Sequence, residues 1–91
     1  MFIEKIASQL KMDPMTLERE SLKTYLERRL RLVEADMLSI GSKYGVKGIL
    51  ELDQAIREGK FHEEESFDDY FALDNLEDER DGLLKMLKEV Q

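Results

Sequence analysis

The sequence predicts an all-α fold, a helical hairpin or bundle dominated by two long antiparallel helices and completed as a dimer. Three observations predict it. Apolar residues recur at steps of three and four along most of the chain, which places them on one face of a helix. The single Pro follows an Asp, a pairing that opens a helix rather than breaking one. No stretch beyond Met1-Phe2-Ile3 carries a strand pattern. The 91 residues make one domain, residues 1–91. A chain this short buries only about 60% of the surface its unfolded form exposes. With no Cys to form disulfides or thiolate metal sites, self-association is the expected source of further burial.

Ile3, Ile6, Ala7 and Leu10 predict a short helix over residues 2–11. Asp13 can accept the free amides of the next helix, and Pro14 suits its first position, so a long helix is expected over residues 14–44. Its apolar stripe is Leu22, Leu26, Leu30, Val33, Met37, Ile40 and Tyr44. From Leu30 onward the steps alternate three and four, the seam of a coiled coil or antiparallel hairpin. Leu22, Leu26, Leu30, Val33, Met37 and Ile40 are accordingly the expected dimer seam. Tyr44-Gly45-Val46 reads as the helix stop, with Gly41 as an earlier candidate end.

A short third helix is expected over residues 48–58, with Ile49, Leu52, Ala55 and Ile56 on its apolar side and Gly59 ending it. The last helix is expected over residues 63–90. Its stripe runs Leu73, Leu76, Arg80, Leu83, Leu87 and Val90, and Phe67, Tyr70 and Phe71 cluster near its start. Gly82 weakens this helix by about 1 kcal/mol relative to Ala without ending it. No apolar run is long enough for a membrane span and no cationic-then-apolar leader is present, so the expected location is the cytoplasm.

The net charge of −7 is unevenly placed. Residues 1–50 hold nine Lys and Arg against seven Asp and Glu; residues 51–91 hold five against fourteen. A weakly basic front and a strongly acidic back suggest two surfaces with different partners.

The run Leu17-Glu18-Arg19-Glu20-Ser21-Leu22-Lys23-Thr24-Tyr25-Leu26, preceded by Ile3, Ile6, Ala7 and Leu10, resembles the two helices of ribbon-helix-helix repressors and type II antitoxins. The resemblance covers residues 2–27 and departs from the pattern at three points. Only Met1-Phe2-Ile3 is available where the family has a base-reading strand, Lys11 stands at the usual turn Gly, and Glu18 replaces an apolar residue. The resemblance implies weak DNA contact, with a phosphate held at the start of the second helix near Asp13 to Met15. Lys43-Tyr44-Gly45-Val46 and the acidic helix beyond it also look like small antitoxin-type proteins.

Arg19, Lys23, Arg28 and Arg29 are the candidate phosphate contacts, although Glu18, Glu20 and Glu27 interleave with them at ordinary helix-surface spacings. Phe67, Asp68, Asp69, Tyr70, Phe71 and Asp74 are the candidate partner contacts, because aromatics beside acids often anchor interfaces. Glu64, Glu65 and Asp68, with Glu77 and Asp81, faintly imitate the paired carboxylates of metal-dependent nucleotide pyrophosphohydrolases. Their spacing is poor, and acids in a first helical turn complement the helix dipole without any metal. His62 is the only His, and no Ser has an activating partner within the sequence.

The residues therefore point to a small regulatory protein-binding module of antitoxin type, not an enzyme, with no cofactor and no resident metal. Its acidic half would cover a basic, toxin-like protein. The alternatives are a structural or adaptor homodimer and, more remotely, the metal-dependent hydrolase.

Overall fold

A computed structural model describes all of residues 1–91 as four helices with no strand: α1 (Phe2–Leu10), α2 (Pro14–Tyr44), α3 (Ile49–Arg57) and α4 (Glu64–Val90). Asp13 caps α2 by accepting the Thr16 amide at 3.1 Å, with Pro14 directly behind it. The turn before it is tight. Lys11 ends α1 in the left-handed region at φ 59°, and the Met12 amide returns to the Ala7 carbonyl at 2.8 Å.

α2 ends where Gly45, at φ 67°, turns the chain, and the Val46 amide donates back to the Gly41 carbonyl at 2.9 Å. Gly41 lies inside the helix. Its missing side chain is what this turn requires, because a Cβ there would stand 2.7 Å from the Val46 carbonyl oxygen. Gly82 sits within α4 and has open space around it.

The two long helices pack against each other in antiparallel fashion. Leu26 and Val33 of α2 are buried with Leu83 and Leu87 of α4, and Leu30, Met37, Leu76 and Val90 pack around them. The same register carries Arg29 to Glu79 and Lys43 to Asp69. The stripe expected to form a dimer seam is thus occupied from Leu26 to Met37 by α4 of the same chain. Periodicity marks a helix face for burial; it does not say which helix buries it.

α3 packs on α4, with Leu52 and Ala55 buried between them. The fully buried Leu73 supplies the inner surface of α4, and Ser66, also buried, donates its hydroxyl to the Glu63 carbonyl at 2.6 Å. Phe61 meets the Tyr44 ring edge-on at 4.9 Å and closes the α3 end of the hairpin. The result is a rod of 60 × 19 × 19 Å with a radius of gyration of 18.8 Å, where a compact chain of this length would have about 12 Å. No helix is long and apolar enough to cross a membrane.

Candidate protein-binding site

α4 has two occupied sides and one open one. α2 covers the side that carries Leu76, Leu83 and Leu87, and α3 packs close to Leu73. At about 100° per residue, Glu64, Phe67, Asp68, Phe71, Asp74 and Asp78 fall on the remaining side, and all six are exposed. Phe67 and Phe71 stand one turn apart, 45% and 62% exposed. The half-buried Tyr70 meets the Phe71 ring edge-on at 5.4 Å and fixes it from beneath. Glu64, Asp68, Asp74 and Asp78 make no ion pair within the chain, so their charge faces water around the two rings.

Asp69, next in sequence to Asp68, turns the other way. Its carboxylate accepts from Lys43 Nζ at 2.9 Å and from the Tyr44 hydroxyl, while Glu65 pairs with the same ammonium. Those two donors, Tyr44 first and Lys43 second, hold the Asp69 carboxyl below its ordinary range. Burial, and then the bond to Asp69, push the Tyr44 hydroxyl up to about 12. Glu65, followed by Asp69, raises the Lys43 ammonium. This cluster latches α2 to the start of α4 and fixes the rotation at which Phe67 and Phe71 face outward.

Of the six candidate partner contacts, Phe67, Asp68, Phe71 and Asp74 share the open face. Asp69 belongs to the latch, and the half-buried Tyr70 meets the Phe71 ring. Glu64 and Asp78 complete the acidic frame, and one further step of the helical period from Asp68 or Asp74 would have identified them.

The four candidate phosphate contacts fan out around α2. Arg29 is engaged by Glu79. Arg19 lines a groove with Glu89 and Val90, beside the end of α4. Arg28 lines a different groove with Leu17 and Tyr25. Lys23 is exposed about 140° from Arg28 around the helix. No group of three or more His, Asp or Glu side chains converges on a point that could hold a metal ion. Of the carboxylates considered for that role, Glu65 pairs with Lys43, Asp81 pairs with Arg80, and Glu77 accepts the Ile49 amide at 2.7 Å.

A family model described as the uncharacterized protein MJ0235 family matches residues 1–91. The chain belongs to that family. The match takes in both ends of the rod and all four helices. No curated protein and no solved structure matches the chain.

Proposed function

We propose that this member of the MJ0235 family is a regulatory protein-binding module whose open α4 face docks on a basic partner protein, in the manner of an antitoxin covering a cationic toxin. The observation that supports the reading is the pair Phe67 and Phe71, exposed one turn apart and framed by Glu64, Asp68, Asp74 and Asp78. Two aromatic rings on a rigid helix supply apolar anchors with little rotamer freedom to lose, and aromatic residues of this kind dominate measured interface energies. Unpaired carboxylates around them would select a cationic surface and speed the encounter. The latch at Lys43 and Asp69 keeps the face preformed, which lowers the ordering cost of binding. Of the frame, Glu64 lies in the first turn of α4, where its charge also suits the helix dipole.

The test is affinity capture from the native host with the wild-type chain and with Phe67→Ser/Phe71→Ser. The wild type should retain one small basic protein, released as salt is raised. The double variant should bind it at least about 30-fold more weakly, the equivalent of one interface anchor of about 2 kcal/mol. Retention of no basic protein, or equal retention by both chains, overturns the proposal.

A further inference from the structure

We infer that the apolar end built by α1 and the start of α2 is the surface on which a second copy of this chain docks. α4 covers the α2 stripe only in part. Met15, Leu22 and Leu26 lie on one stripe at steps of seven and four, and their exposure rises from 9% at Leu26 through 45% at Leu22 to 69% at Met15. The stripe is bare where it runs past Val90. There Met15 and Leu22 line an apolar notch with Val90, rimmed by Glu18, Arg19 and Glu89. α1 extends the same end. Its Ala7 is fully buried where it packs on α2, yet Phe2, Ile6 and Leu10, on the adjoining arc of the helix, stand exposed.

Area and charge together name the occupant. The chain exposes 6981 Å², whereas a compact monomer of 10.7 kDa would expose about 5,500 Å². The excess, about 1,500 Å², is spread along the whole rod, and it leaves room for the roughly 800 Å² per partner of a standard interface. Residues 1–23 hold four Lys and Arg against four Asp and Glu, so this end does not repel itself. The back of the chain, with five cationic residues against fourteen acidic ones over residues 51–91, would repel its copy. A two-fold pairing through the neutral apolar ends buries Phe2, Ile6, Leu10, Met15 and Leu22 against the same residues of the partner copy. It also holds the two acidic ends apart. This surface is distinct from the open face of α4, and it differs from the seam at Leu26 to Met37, which α4 already fills.

Sedimentation equilibrium of the full chain tests it. The wild type should sediment at about twice 10.7 kDa. Leu10→Glu/Met15→Glu should sediment as a monomer with its helical circular dichroism intact, since both side chains are exposed within one chain. Phe67→Ser/Phe71→Ser should remain dimeric. A second measurement leaves the apolar surface in place: nitroxides on Glu18→Cys, at the rim of the notch, should register each other across the two-fold, while those on Glu64→Cys, toward the far end of a 60 Å rod, should not. A monomeric wild type, a dimer indifferent to Leu10→Glu/Met15→Glu, or spin coupling at Glu64→Cys instead of Glu18→Cys overturns the inference.

Discussion

The carboxylate of Glu77, in the middle of α4, accepts the backbone amide of Ile49, the first residue of α3, at 2.7 Å. Gly48 precedes that helix and has no side chain to cap it. The cap therefore comes from a residue far away in sequence, and it ties the short helix to the long one. Glu77→Ala should cost about 1 kcal/mol, the usual effect of losing a helix cap, and lower the melting temperature by about 4–8 °C. Glu77→Gln, which keeps an acceptor, should recover most of the loss. Amide hydrogen exchange should show the effect concentrated in Ile49–Arg57.

Two glycines should respond in opposite directions. Gly41→Ala places a methyl group 2.7 Å from the Val46 carbonyl, and crowding of that kind costs about 1–3 kcal/mol. Gly82→Ala meets nothing within 4 Å and should add about 1 kcal/mol through helix propensity alone. Urea denaturation of the two variants beside the wild type measures both.

Lys11 holds a left-handed backbone at φ 59°, which costs a residue with a side chain about 1 kcal/mol. Lys11→Gly should raise the urea midpoint without changing the slope. No change would mean that the side chain of Lys11 compensates for its backbone.

The latch predicts a stability profile that falls at both pH extremes. The Asp69 carboxyl is held below its ordinary value of 3.8, so its contribution is present above that pH and is lost as pH falls through the lower folded value. Gln54, with Lys60, holds Glu58 low in the same way, so Glu58 adds to the acid limb. Tyr44 is raised from 10.0 to about 12, so its contribution is full below pH 10 and disappears as pH climbs through about 12. Lys43, raised above 10.5, acts in the same direction. Asp69→Asn should shrink the alkaline limb without removing it, because burial still acts on Tyr44 and Glu65 still holds Lys43, and should leave only the Glu58 part of the acid limb. Melting temperature against pH for both chains reads this directly.

The helical class and the two long antiparallel elements were legible because Leu30, Val33, Met37 and Leu73, Leu76, Leu83, Leu87 mark one face each, and Asp13-Pro14 and Gly45 punctuate the longer helix. That α4 alone would fill most of the stripe also expected to be a dimer seam was not legible. The α2 stripe from Leu26 to Met37 meets its own α4, and only the bare part beyond it, at Met15 and Leu22, is left for another molecule. Gly41 read as a candidate helix end because the close approach of the Val46 carbonyl exists only after the turn has folded. No local sequence pattern marks the Glu77 cap, because its two partners are 28 residues apart. Within the candidate site, Phe67, Phe71 and Asp74 were named from composition. Composition could not separate Asp68, on the open face, from Asp69, in the latch, because adjacent residues point about 100° apart on a helix.

The most direct measurement is an amide-correlation NMR titration of the labelled 91-residue chain with the basic protein it captures. The expected result is a set of shifts centred on Glu64, Phe67, Asp68, Phe71, Asp74 and Asp78, with residues 2–22 undisturbed. Shifts centred on residues 2–22, or spread along α2 with the open face of α4 silent, would contradict it.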